Sequence, residues 1–141
     1  MTVVVDLASE LSKLTMLEGR TPTSTEADRA GAFGRLAPYR DGAIFVAKFS
    51  GISAWERHPQ GDEIVQVLDG ETELRLLTDA GRQSITLRRG MMVIVPQHTW
   101  HQFVAPNGVS LMTATPQPTE HLRVDVDDPR TVAVARQANT F

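Results

Sequence analysis

The chain has no cysteine. That excludes a disulfide framework and thiolate metal sites, so any metal must be held by nitrogen and oxygen. No stretch approaches the ~20 apolar residues that a membrane span needs. The start carries only the short apolar run Val3-Val4-Val5, followed at once by Asp6 with no basic lead, which is unlike a signal peptide. A cytoplasmic location is the resulting expectation. Charge bias is also slight: the net charge is −3, and Arg88-Arg89 is the sole adjacent basic pair. Neither a nucleic acid nor a membrane is expected as a partner. No internal repeat is present.

With 141 residues, 41% of them hydrophobic and 22% charged, the sequence suits one globular domain with a core. Residues 6–18, DLASELSKLTMLE, place Leu7, Leu11, Leu14 and Leu17 at helical spacing, with Asp6 to cap the start and Gly19 to end it. A short amphipathic helix is predicted there. TPTSTEADRAG reads as a loop.

Short β-branched runs follow: GAIFVAKFSG, EIVQVLDG, ETELRLLTDAG, RQSITLRRG, MMVIVP, HQFVAPNG and VSLMTAT. Turn residues punctuate them at even spacing, which predicts an all-β sandwich or small barrel. LDGE and TDAG read as hairpin turns. ETELRLL and QSITLRR alternate, so those strands should show one face to water. EIVQVL and MMVIV are nearly continuous and predict strands buried on both faces. The expected organisation is a helix and loop over 1–29, a β-domain over 30–115, and a Pro-rich extension over 116–141 with one short strand at LRVDV.

The chemistry concentrates in WERHPQGDE, residues 55–63. In an extended segment Glu56 and His58 share a face, with Trp55 and Arg57 opposite. Glu63 then opens an apolar run, a costly place for a carboxylate without a partner. Further on, His101 and Phe103 share a face if residues 100–104 are a strand. Two imidazoles and one or two carboxylates suit one divalent ion such as Fe, Mn, Ni, Co, Cu or Zn. His98 reads as a loop or pocket-rim residue, His121 as surface, and Asp62 as outward-pointing. Trp55 and Trp100 read as packing residues in the core or at a subunit interface.

Residues 51–70, GISAWERHPQGDEIVQVLDG, and residues 90–107, GMMVIVPQHTWHQFVAPN, resemble the two motifs of a small cupin of the conserved-barrel type. The first motif is G-x5-H-x-H-x3,4-E-x6-G. His58, Glu63 and Gly70 match it, Glu56 stands in place of its first His, and the spacing from Gly51 is one residue short. The second motif is G-x5-P-x-G-x2-H-x3-N. Gly90, Pro96 and His101 match it, His98 replaces its Gly, and Asn107 lies two residues beyond the expected Asn.

The resemblance implies a jelly-roll β-barrel with the metal inside, held by Glu56, His58, Glu63 and His101, or by the last three with Glu56 behind them as a base. It also implies a small-molecule substrate or ligand and a homodimer. The family hosts many activities. A metal-dependent enzyme is the leading expectation, oxygenase-like first and isomerase or lyase next. Val65, Val67, Ile94 and Phe103 are the expected pocket lining. A non-catalytic small-molecule- or metal-binding module is the alternative, and a metal-free structural barrel is a third reading.

Overall fold

Asp6 caps the first helix, as the sequence predicts. In this computed structural model, which describes residues 1–132 and the backbone of Ala138–Asn139, helix α1 spans Leu7–Ser12, and the Asp6 carboxylate accepts from the Ser9 amide at 3.1 Å. The helix is shorter than the leucine spacing suggests. Leu17 lies in a strand, β1 (Leu17–Arg20), and Gly19 sits inside that strand rather than at a helix end. β1 runs parallel to the longer strand over Gly42–Ile52, and sheet pairing outweighs the local leucine period. A second correction follows in TPTSTEADRAG, which contains a helical turn, α2 (Glu26–Arg29). Thr25 Oγ1 accepts from the Asp28 amide at 3.2 Å, and Asp28 accepts from the Thr25 amide at 2.8 Å, a reciprocal cap.

The remaining strands are β2 (Phe33–Tyr39), β3 (Gly42–Ile52), β4 (Trp55–Arg57), β5 (Glu63–Thr78), β6 (Gly81–Arg88), β7 (Met92–Val95), β8 (His101–Pro116), β9 (Thr119–Leu122) and β10 (Ala138–Asn139). They form one curled sheet, an all-β barrel. β8 is its spine, pairing antiparallel with β3, β4 and β5. β1 and β9 are part of the same sheet, so it reaches beyond residues 30–115 at both ends. The short strand expected at LRVDV lies earlier, and Leu122 is its last residue. Residues 133–137, 140 and 141 of the expected Pro-rich extension lie outside the described residues.

Two expected breaks are absent. EIVQVLDG and ETELRLL form one continuous strand, β5, so LDGE is not a hairpin turn. HQFVAPNG and VSLMTAT likewise join into β8. The antiparallel pairing of β5 with β8 shifts register between Gly70 and Glu73, and here a Cβ on Gly70 would lie 2.4 Å from the Gly108 carbonyl oxygen, with Gly70 at φ +75°. The glycines permit this close backbone approach in place of two turns. TDAG does turn the chain, with Thr78 opposite Gly81.

The core fills the barrel interior with Phe49, Val65, Val67, Leu74, Leu76, Phe103, Val109 and Leu111. A smaller cluster packs Trp55, Leu77, Trp100 and Leu122 on the outer side of β4 and β9. The tryptophans are therefore packing residues, and Trp55 Nε1 donates to the Val126 carbonyl at 2.9 Å. EIVQVL and MMVIV are not buried on both faces. Val65, Val67 and Val95 point in, whereas Ile64, Met92 and Ile94 are exposed. Alternation is preserved, but both parities are apolar.

Candidate metal centre

β4 delivers Glu56 and the residue after it delivers His58. The loop PQGD then returns the chain into β5, whose first residue is Glu63. Backbone pairing sets Glu56 opposite His101 at the start of β8 and opposite His121 on β9. The two loops beside the site are tied together. The His98 amide donates to the His58 carbonyl at 2.9 Å, and the Gln97 amide donates to Asp62 Oδ1 at 2.7 Å. Asp62 points away from the site, and His98 is an exposed loop residue with φ +63°.

His58, Glu63 and His101 are all buried. Glu63 lies between the two imidazoles: Oε2 is 3.2 Å from His58 Nε2, and Oε1 is 3.2 Å from His101 Nε2. Neither contact has hydrogen-bond alignment, and His58 Nε2, His101 Nε2 and Glu63 Oε1 are left without a hydrogen-bond partner. Their other atoms are held. His101 Nδ1 lies 2.9 Å from the Thr99 carbonyl, His58 Nδ1 lies 3.0 Å from Thr119 Oγ1, and Glu63 Oε2 accepts from Thr115 Oγ1 at 2.6 Å. A carbonyl can only accept, so His101 carries its proton on Nδ1, and its Nε2 lone pair faces Glu63 when neutral. One nitrogen or oxygen each from Glu56, His58 and His101 lies within 4.8 Å of the others, a group that could hold a metal ion. Orphaned buried donors converging from both sides, with their far ends anchored, fit an ion of the nitrogen- and oxygen-loving kind.

The charges are consistent with that fit. Burial alone would raise the Glu63 carboxyl, but the two imidazoles outweigh it and hold the group well below the usual carboxylate range. Burial also opposes ionisation of Glu56, and His121, Arg20 and His101 together overcome it. His101 feels burial first, which lowers its pKa. The close, negatively charged Glu63 carboxylate, with Glu56 and the Thr99 carbonyl, reverses the sign, and the net shift is upward.

Two site residues escaped the sequence reading. His121, expected at the surface, is only 4% exposed, and its Nε2 lies 3.8 Å from Glu56 Oε2. β9 pairs with β4 and so turns Thr119 and His121 toward the site. TEHL shows no polar–apolar alternation, and all four of its residues are buried, so no local pattern marked His121. Burial, with Arg123, Arg29 and Arg20 nearby, pushes His121 down to about 4 despite Glu56 beside it. The second is Arg20 on β1, whose buried guanidinium lies 3.7 Å from Glu56 Oε1. Phe103 lines the cavity beside Glu56 and Glu63, as expected, while Ile94 lies on the outer face of the sheet.

The family model of the cupin domain matches residues 45–113. Among solved structures, a cupin-2 domain protein from Shewanella frigidimarina superposes with a TM-score of 0.59 at 20% identity, covering 84% of this chain and 95% of that one. Residues 45–113 of the protein are a cupin domain. A Neisseria meningitidis protein is also similar to this cupin, with a TM-score of 0.56 at 20% identity over 85% of this chain and 100% of that one. Hydroquinone 1,2-dioxygenase from a Sphingomonas species has a TM-score of 0.53 at 23% identity, covering 60% of this chain and 64% of that one. At these identities the likeness is one of fold. No curated protein matches the cupin in sequence. Among the described residues, no helix is long and apolar enough to cross a membrane.

Proposed function

We propose that this cupin holds one divalent transition-metal ion through Glu56, His58, Glu63 and His101 and acts as an enzyme on a small organic molecule. The observation that carries the reading is the set of three buried, hydrogen-bond-free atoms, His58 Nε2, His101 Nε2 and Glu63 Oε1, with the Glu63 carboxylate 3.2 Å from each imidazole. Burying such atoms unpaired costs roughly 1–3 kcal/mol each. A shared cation removes that cost. The set of two imidazoles and two carboxylates favours Fe(II) or Mn(II) over softer ions.

When bound, a first-row ion with an open position supplies a Lewis acid and a binding place for dioxygen or water. The chain's residues do the rest. Thr99, Thr115 and Thr119 hold the ligands in orientation. Phe103 and the apolar interior keep bulk water out. Glu56, less buried than the other three, either completes the ligand set or takes a proton from substrate. Oxygenase chemistry is the first choice, and the fold likeness to a hydroquinone dioxygenase supports it at the level of fold alone.

A second copy of the chain is the proposed partner on the outer face. Ile64 and Ile94 are neighbours across β5 and β7, and Met92 extends the same exposed face. An exposed apolar row of this kind is covered most simply by an isologous dimer.

The test is elemental analysis of wild type beside His101→Ala. About one equivalent of metal in the wild type, lost in the variant, is the expected result, followed by oxygen-uptake screening with small acids and phenols. A wild type that stays metal-free after supplementation with each ion removes the enzyme reading and leaves a binding or structural barrel.

A further inference from the structure

The cavity beside the metal centre contains one cation whose charge is scarcely used. Arg20 is 4% exposed and lines the cavity together with Glu56, Glu63, Phe49 and Phe103. Its guanidinium carries five N–H donors. Among the described residues those donors make no hydrogen bond, and the one ion pair, to Glu56 Oε1, is long at 3.7 Å. A buried guanidinium in this state is costly unless an acceptor arrives.

Arg20 is also held in place. Its guanidinium carbon lies 4.7 Å from the Phe49 ring centre and 5.0 Å from that of Phe33, so both rings flank the charge without consuming a donor. Behind it, Gly51 packs on the Arg20 backbone so closely that a Cβ would fall 2.2 Å from the Arg20 carbonyl oxygen. The fork is therefore fixed at the cavity wall before any ligand binds.

We propose that Arg20 is the anion-binding residue of this pocket and that the substrate class is a short-chain carboxylate. The inference deepens the metal-enzyme reading by naming what the same site binds. A planar guanidinium with free N–H pairs matches a carboxylate in two-pronged geometry, which a neutral ligand cannot reproduce. Charge balance agrees. Glu56, Glu63 and Arg20 sum to one negative charge, a divalent ion reverses it to one positive, and a monocarboxylate neutralises the cavity. Size sets the chain length. The cavity is narrow, with about 40 Å³ open to a water-sized group, which suits a short aliphatic acid better than an aromatic one.

The probe is acetate, with acetamide as its uncharged isostere, titrated calorimetrically into the full-length protein while metal content is measured on the same samples. Acetate is expected to saturate one site and to bind at least about ten-fold more tightly than acetamide. Arg20→Gln should weaken acetate by about ten-fold or more at unchanged metal content, and Arg20→Lys should recover part of the loss. Equal binding of acetate and acetamide, no acetate binding to the wild type, or full affinity in Arg20→Gln overturns the proposal. The acetate–acetamide contrast needs no variant, so a misfolded Arg20→Gln does not rescue it. Arg20-dependent acetate binding in a wild type that takes up no metal sinks the metal reading and leaves the anion site standing. A metal-loaded wild type indifferent to acetate does the reverse.

Discussion

Thr115 Oγ1 donates a 2.6 Å hydrogen bond to Glu63 Oε2, and that bond decides which oxygen of Glu63 is left over. Thr113 Oγ1 stands 2.7 Å behind Thr115 Oγ1, so the hydroxyls form a short chain along β8 that ends on the carboxylate. Oε1 is then the orphan that faces His101. Thr115→Val keeps the shape of the side chain and removes this anchor. Loss of such an outer support typically lowers metal affinity by about 10- to 100-fold. Competition with a chromophoric chelator measures it, and an affinity equal to that of the wild type would show that Glu63 is oriented without Thr115.

Glu56 occupies the position where the cupin motif carries a histidine. As a ligand it brings a negative charge, and Glu56→Gln removes that charge while keeping an oxygen at the same place. Metal affinity is expected to fall by about ten-fold or more, as for loss of a charged ligand in a site that selects by ligand type. The same chelator competition reads it. Unchanged affinity with lost turnover would instead move Glu56 to the role of a base.

Why did the sequence disclose His58, Glu63 and His101 but conceal Arg20 and His121? The first three obey local rules. His58 and Glu63 are separated by a single loop, and His101 follows a Pro turn into a strand. Spacing alone thus carries their geometry. His121 depends on β9 finding β4, and Arg20 depends on β1 finding β3, pairings between segments far apart in the chain. No local pattern encodes such partners. The LDGE error has a different cause. Asp-Gly favours both a turn and a bulge, and only the approach of Gly108 selects the bulge. The exterior face of β5 and β7 was misread because apolar residues occupy both parities. A continuous apolar run says that both faces avoid water, and it does not say whether the second face is covered within this chain.

That second face gives the oligomer prediction. Ile94 is 54% exposed and directly opposite Ile64 in the sheet. If a second copy covers the row, Ile94→Glu places a carboxylate in the interface, twice over by symmetry. Light scattering should then report a dimer for the wild type and a monomer for the variant, with the circular dichroism of the barrel unchanged. A wild type that is monomeric at high concentration removes the proposed partner. A dimer that survives the substitution places the interface elsewhere.

Gly70 tests the close backbone approach at the register shift between β5 and β8. Its φ of +75° lies in the left-handed region, where a side chain is strained whatever the space around it. Space is also lacking, because an added methyl would sit 2.4 Å from the Gly108 carbonyl oxygen and 3.1 Å from Val109 Cα. Both obstacles are backbone and cannot rotate away. The strain costs about 1–2 kcal/mol on its own, and separating the strands adds lost packing around Val109 and Phe49. Gly70→Ala should therefore destabilise the protein by more than about 2 kcal/mol, a large effect for a single methyl group. Urea unfolding at constant m measures it. Asp69→Ala, one residue earlier on the same strand and without the backbone conflict, is the control. Equal losses in the two variants would mean that this backbone approach tolerates a side chain and that the register shift has another cause.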